Sequence, residues 1–316
     1  MKVLVHIDDA ERWRDALAER LPNAEVFTSS APAEKRREAD YLAVWKPSAE
    51  LLGEPERLKG IVNLGAGVDA LLGNPGLPTG VPIVKLRDAG MAELIGDYVR
   101  YGILHFQRDF DRYRRQQARC DWHEHAVVDK VDWPVGVLGL GAIGAKVAAM
   151  VAADGFPVHG WSRSEKSLEG ISCHHGEAGL DELLGRVRSL VLLLPDTPAT
   201  RHVIDAAALA KLPEGATLIN PGRGSLIDEA ALLDALGPER EGKEDTEGRL
   251  RGALLDAFPA EPLPEASPLW RHPRVWVTPH MAGPTPLGAA LDQVAEALLA
   301  FETGEAIHTV DPEAGY

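Results

Sequence analysis

Cysteine is nearly missing from this sequence. Only Cys120 and Cys173 occur in 316 residues, and neither belongs to a C-x-x-C pair. A disulfide framework is therefore excluded, and a reducing compartment is the expectation. Long apolar runs are missing too, since no stretch approaches the roughly 18 uncharged residues of a spanning helix. The opening Met1-Lys2-Val3-Leu4-Val5-His6-Ile7-Asp8-Asp9 reads as a short buried strand followed by acid. It has neither the longer apolar run nor the small-residue cleavage site of a signal peptide, so a cytoplasmic protein is expected. Positive charge is the third deficit: 33 Lys and Arg stand against 48 Asp and Glu, a formal net charge of -15 spread along the chain. That balance argues against nucleic acid or an anionic membrane as partner, because both demand a basic patch. A small anionic substrate stays open, since a few arginines can dominate one pocket.

What is present is a rhythm of short apolar runs and helical stretches. The 45% hydrophobic content suffices for one large or two medium cores, and at about 100–200 residues per domain two domains are expected. Residues 2–7, 41–45, 61–64 and 82–85 read as strands, with a helix over 11–20. This βα alternation predicts a parallel sheet covered by helices. A long helix follows over 91–107, where Leu94, Ile95, Tyr98, Val99 and Leu104 make an apolar stripe. Residues 109–125 break the pattern with Arg112-Tyr113-Arg114-Arg115 and Trp122-His123-Glu124-His125. They are either a solvated helix and loop or an arm that packs on a second subunit. A second series gives strands at 135–138, 158–161, 190–194, 217–220, 253–256 and 275–278, six in the rhythm of a doubly wound nucleotide-binding domain. Residues 237–252 are charged and read as a surface loop, and 288–303 as a closing helix with Leu291, Val294, Ala297, Leu298 and Phe301 on one face.

Chemistry enters with the glycines. The strand Val135-Gly136-Val137-Leu138 runs into Gly139-Leu140-Gly141-Ala142-Ile143-Gly144, which opens the next helix. A lone G-x-G-x-x-G is weak, but strand before and helix after is the context that dinucleotide binding requires. Gly139 allows the tight turn, Gly141 lets a pyrophosphate approach the backbone, and Gly144 lets helix and strand pack closely. The phosphates then meet the N–H groups at the positive end of the helix. At the end of the second strand an NAD enzyme usually places Asp or Glu for the ribose 2′-hydroxyl. Here Trp161-Ser162-Arg163-Ser164 puts an arginine between two hydroxyls. That arrangement suits a 2′-phosphate, so NADP(H) is favoured and NAD(H) is the alternative. The plain reading of the same residues is a polar turn.

Three polar residues follow the last strands. Arg223 lies in Asn220-Pro221-Gly222-Arg223-Gly224, Glu261 in Asp256-Ala257-Phe258-Pro259-Ala260-Glu261-Pro262, and His280 in Thr278-Pro279-His280. A guanidinium can hold a carboxylate in two parallel bonds, and an imidazole is matched to proton transfer near neutrality. A carboxylate beside an imidazole fixes its ring and favours its charged form. Singly each has a mundane explanation; together beyond a dinucleotide fold they suit reduction of a 2-keto acid by hydride transfer, with histidine as general acid/base.

These residues resemble the D-isomer-specific 2-hydroxyacid dehydrogenase family over nearly the full length. The resemblance is carried by the glycine loop, Leu194-Pro195-Asp196-Thr197-Pro198-Ala199-Thr200, the Asn220 to Gly224 run, Leu255-Asp256-Ala257-Phe258 with Glu261-Pro262-Leu263, and Thr278-Pro279-His280. Within the family, Trp45-Lys46-Pro47, Leu64-Gly65-Ala66-Gly67-Val68-Asp69, Gly90-Met91-Ala92-Glu93, Trp161-Ser162-Arg163, Ser267-Pro268-Leu269-Trp270 and Gly315-Tyr316 are most similar to the bacterial type A glyoxylate/hydroxypyruvate reductases. The resemblance implies an α/β protein of two Rossmann/flavodoxin-like domains with the active site in the cleft between them. Residues 1–105 with 285–316 would form the substrate domain, and 106–284 the dinucleotide-binding domain. It implies that Arg223 binds and polarises the substrate, that Glu261 pairs with His280, and that His280 exchanges the proton. Gly65, Ala66 and Gly67 would offer N–H groups to the substrate carboxylate, with Trp45 as a wall. Leu194, Pro195 and Asp256 would join the cofactor residues, Asp256 near the nicotinamide carboxamide. A homodimer joined through the cofactor domains is implied as well.

Two departures stand out. Pro221-Gly222 replaces the usual small or apolar residue followed by alanine, and the 237–252 loop is longer than usual. Two rivals are open: a dehydrogenase of another D-2-hydroxy acid such as 3-phosphoglycerate, and a nucleotide-sensing binding module on the same fold.

Overall fold

A computed structural model describes residues 1–238 and 248–315. By packing, the chain divides into two compact units, Met1–Met91 with the segment from Thr285, and Ala92–Pro284. The sequence reading places the first crossing near residue 105, whereas all but the first residue of the helix Met91–Gln107 packs with the second unit. The reason lies in two glycines on that helix. A Cβ on Gly96 would come within 2.5 Å of the Met150 Cε, and one on Gly102 within 2.8 Å of a Leu254 methyl, so the helix lies flush against the second unit's core.

In the first unit five parallel strands, β1 (Lys2–His6), β2 (Glu25–Thr28), β3 (Tyr41–Val44), β4 (Gly60–Asn63) and β5 (Ile83–Lys85), pair in the order β2-β1-β3-β4-β5. Every residue of β3 and β4 is buried, which is why both read as unbroken apolar runs. β2 is an edge strand whose first residues are exposed or half-buried, and the sequence reading lacks it. The closing helix Leu287–Thr303 buries Leu291, Val294, Ala297 and Leu298, and Phe301 stacks on Tyr41 with ring centroids 5.9 Å apart. Gly60 makes room for that ring, because a Cβ there would lie 2.7 Å from it.

The second unit carries seven parallel strands among the described residues: β6 (Val135–Leu138), β7 (Val158–Ser162), β8 (Ile171–His175), β9 (Ser189–Leu192), β10 (Ala216–Asn220), β11 (Leu250–Leu255) and β12 (Val275–Val277). Their order is β12-β11-β10-β9-β6-β7-β8. Six were expected. The seventh, β8, is an edge strand without one fully buried residue, so no apolar run announces it. The expected 237–252 loop is cut short because β11 starts at Leu250; its residues 239–247 lie outside the described residues. Strand order reverses beside β6, with β7 on one side and β9 on the other, and such a switch point is where open α/β sheets bind ligands.

Residues 109–125 form the helix Phe110–Ala118 and a following loop. Arg251 on β11 ties the helix start down, reaching Asp109 Oδ1 at 2.6 Å and Asp111 Oδ1 at 2.5 Å. Burial alone pushes the Asp111 carboxyl up, but the bonds and charge of Arg251, with help from Arg115, leave it below the usual carboxylate range. A depressed carboxyl stabilises the fold above its unfolded pKa, near 4, and the gain is lost as pH falls through the folded value. Arg251→Gln should therefore lower unfolding free energy by about 3 kcal/mol in urea melts near pH 7. The gap to the parent should narrow below about pH 4. Equal stability at neutral pH would contradict this account of the tether.

Candidate active site

Because the second sheet is parallel throughout, its strands deliver their following loops to one edge. In spatial order these are His280 after β12, Asp256 and Glu261 after β11, Arg223 after β10, Leu194-Pro195 after β9, the glycine loop after β6 and Ser162-Arg163-Ser164 at the end of β7. The second-unit residues singled out from sequence thus share one edge, with the acid-base candidates beside β10 to β12 and the dinucleotide candidates beside β9, β6 and β7.

The glycine loop has the shape its chemistry needs. Gly139 sits at φ +105°, a left-handed conformation open to glycine, and a Cβ there would lie 2.5 Å from the Leu193 carbonyl oxygen. A Cβ on Gly144 would lie 1.7 Å from the Gly139 oxygen, so loop and helix touch backbone to backbone. Gly141, by contrast, caps the helix Ala142–Ala153, and a Cβ on it would meet nothing within 4 Å. Open space over Gly141, at a helix N-terminus, is a cradle fitted to a phosphate. Ala142 and Ile143 begin that helix. Leu194-Pro195 is folded against the same loop, and Thr200 Oγ1 donates to the Pro195 carbonyl at 2.6 Å.

At the end of β7 the buried Ser162 donates its hydroxyl to the Ser164 carbonyl at 2.7 Å, so it shapes the turn on which the exposed Arg163 stands. Lys166, which sequence reasoning passed over, reaches from this turn to the glycine loop and donates Nζ to the Leu140 carbonyl. Two cations, Arg163 and Lys166, therefore stand on the turn that follows β7.

Arg223 is presented by a loop held from below by Asn220. That fully buried side chain accepts from the Gly222 N–H at 3.1 Å and donates to the Arg223 carbonyl at 2.9 Å. A Cβ on Gly222 would lie 2.7 Å from the Leu192 carbonyl oxygen. The Pro221-Gly222 departure is thus a close backbone approach. A Cβ on Gly224 would lie 2.0 Å from the Phe258 carbonyl carbon, so the arginine loop rests directly on the loop that carries Glu261. Arg223 itself donates Nη1 to the Gly222 carbonyl at 2.9 Å.

Glu261 and His280 meet. Both carboxylate oxygens lie 2.9 Å from His280 Nδ1, and Oε1 also accepts from the Phe258 N–H at 3.1 Å. With Nδ1 donating to the carboxylate, Nε2 is the ring nitrogen that Glu261 does not engage. The imidazole is 36% exposed, accessible to a reactant. Asp256, expected beside a carboxamide, is fully buried, and its two oxygens accept from Thr278 Oγ1 at 2.6 Å and from the Met281 and Ala282 N–H groups at 2.9 Å.

In the first unit, Gly65-Ala66-Gly67 follows β4. Asn63 donates Nδ2 to the carbonyls of Gly65 at 2.8 Å and Gly67 at 2.9 Å, occupying the acceptor side of the loop. The Trp45 ring lies where a Gly65 Cβ would be 2.2 Å from it, so only glycine fits. Asn63 and Asn220 share a signal legible in the sequence, a lone amide at the end of an apolar strand two residues before a glycine.

The family model described as D-isomer specific 2-hydroxyacid dehydrogenase, NAD binding domain, matches residues 101–282. Glyoxylate/hydroxypyruvate reductase A of Serratia proteamaculans (strain 568) is 41% identical over 302 residues, covering 94% of this chain and 93% of that protein. Among solved structures, the D-isomer specific 2-hydroxyacid dehydrogenase of Xanthobacter autotrophicus Py2 with NADPH and MES superposes with a TM-score of 0.91 at 38% identity, covering 99% of each chain. The NADPH-dependent glyoxylate/hydroxypyruvate reductase of Sinorhizobium meliloti with NADP and sulfate gives 0.90 at 36%, covering 100% of this chain and 99% of that one. This chain therefore belongs to the D-isomer specific 2-hydroxyacid dehydrogenase family, and it is an NAD(P)-dependent oxidoreductase.

Proposed function

We propose that this enzyme reduces a small 2-keto acid, glyoxylate or hydroxypyruvate, to the 2-hydroxy acid with NADPH, and that His280 supplies the proton. The observation that carries the reading is the 2.9 Å contact of both Glu261 oxygens with His280 Nδ1, on the strand edge that also carries Arg223. Full-length relatives that reduce these acids, and neighbours bound to NADPH or NADP, support the substrate class and the cofactor.

The cradle over Gly141 and the cations Arg163 and Lys166 fit a phosphorylated dinucleotide. Gly139, Gly141, Ala142, Ile143, Gly144, Leu194 and Pro195 would hold its pyrophosphate side, and Ser162, Arg163 and Ser164 its 2′-phosphate. When bound, the reduced nicotinamide supplies the hydride. The remaining work belongs to the chain. Arg223 takes the substrate carboxylate and draws charge toward the keto oxygen. In the first unit, the Gly65-Ala66-Gly67 loop beside Trp45 offers N–H groups suited to a carboxylate. Glu261 keeps the His280 Nδ1–H donated, so Nε2 delivers its proton to the oxygen as charge develops there. Asp256 holds the turn beneath His280.

A cytoplasmic homodimer completes the reading. Both cysteines are free, and among the described residues no helix is long and apolar enough to cross a membrane. Phe110, Trp122, Val127 and Val131 are exposed on the 109–131 segment, with Trp122 fully so, and this supports the arm reading of that stretch. Light scattering should report a dimer, weakened by Trp122→Glu; a monomer at micromolar concentration would contradict it.

Two kinetic tests follow from the site. His280→Asn should bind NADPH as the parent does, by fluorescence titration, yet lose about 100-fold or more in kcat with glyoxylate; parent-like turnover would remove the imidazole from the mechanism. Arg163→Ala should raise the KM for NADPH by about tenfold or more while leaving that for NADH nearly unchanged. Equal effects on both cofactors would contradict the 2′-phosphate assignment.

A further inference from the structure

The turn that carries His280 is fastened to one residue. Asp256 accepts the Thr278 hydroxyl and the Met281 and Ala282 N–H groups on its carboxylate, and the His280 N–H on its carbonyl at 2.9 Å. His280 itself sits at φ 51°, a conformation that a residue with a Cβ adopts only when its surroundings impose it. The Thr278 hydroxyl has one proton, and it goes to the carboxylate. Its 2.8 Å bond with Tyr98 Oη must then be donated by the phenol. Burial, with the Asp256 charge, pushes the Tyr98 phenol well above its ordinary pKa even though the Thr278 bond pulls the other way, so the donor keeps its proton.

We infer that Tyr98, on the helix Met91–Gln107, is a positioning residue for His280, acting through a one-way chain of hydrogen bonds from Tyr98 to Thr278 to Asp256. Its aromatic body belongs to the apolar stripe; its hydroxyl completes the anchor of the proton-transferring turn. This inference rests on the reading that His280 transfers the proton.

The test is single-turnover oxidation of NADPH by glyoxylate, with NADPH affinity and melting temperature measured alongside. Tyr98→Phe, which keeps the ring, and Thr278→Val should each slow turnover by about five- to tenfold. NADPH affinity and melting temperature should stay near those of the parent, and Thr278→Ser should restore the rate. Added to Thr278→Val, Tyr98→Phe should cause no further loss, because the link is already cut. A parent-like rate for Tyr98→Phe, or losses that multiply in the double variant, overturns the inference. If Thr278→Val does not fold, Tyr98→Phe decides alone. His280→Asn separates the two levels: retained turnover there defeats the reading of His280, whereas its loss beside an unaffected Tyr98→Phe defeats only the role of Tyr98.

Discussion

The register of β11 against β12 fixes the candidate active site. Leu255 lies opposite Val277, so the next residues, Asp256 and Thr278, fall side by side where the strands end and their side chains bond at 2.6 Å. From that point the β12 loop turns back, with its next N–H groups captured by the same aspartate. A slip of one residue would reverse which face each side chain occupies and separate His280 from Glu261. The buried carboxylate thus converts strand pairing, which hydrogen bonds and apolar burial specify strongly, into the placement of an exposed imidazole, which neither would specify by itself.

The same device recurs along the edge. Asn220 and Asn63 are each buried at the end of an apolar strand, and each clamps the loop that follows through backbone carbonyls. Ser162 closes the turn below Arg163. In every case a buried polar group is satisfied by the loop backbone, so burying it costs little and the loop is held in one shape. The residues that face solvent, Arg163 and His280, stand on scaffolds they do not themselves build.

Much of this was legible in the sequence, and what escaped did so for physical reasons. Strands buried on both faces, such as β3, β4 and β6, announce themselves as apolar runs. The two strands that went unread, β2 and β8, lie at sheet edges, where exposure admits Glu25, Ser172 and His175. Arg223, Glu261 and His280 stand out in the sequence because charged groups just after apolar strands have few packing explanations, and Glu261 and His280 do meet in the fold. In the sequence Tyr98 is one more apolar position, since a helical stripe records that a ring is buried and not what its hydroxyl meets. Lys166 was unreadable for a different reason: its contact with Leu140 joins loops 26 residues apart, and only the fold brings them together.

The central claim, that Glu261 fixes the tautomer of His280 with Nδ1 donating, has a direct measure. In protein labelled with 15N in its histidine rings, the neutral His280 should carry its proton on Nδ1, giving a hydrogen-bonded N–H resonance that vanishes in Glu261→Ala. A neutral His280 protonated on Nε2, or a spectrum indifferent to the loss of Glu261, would contradict the account.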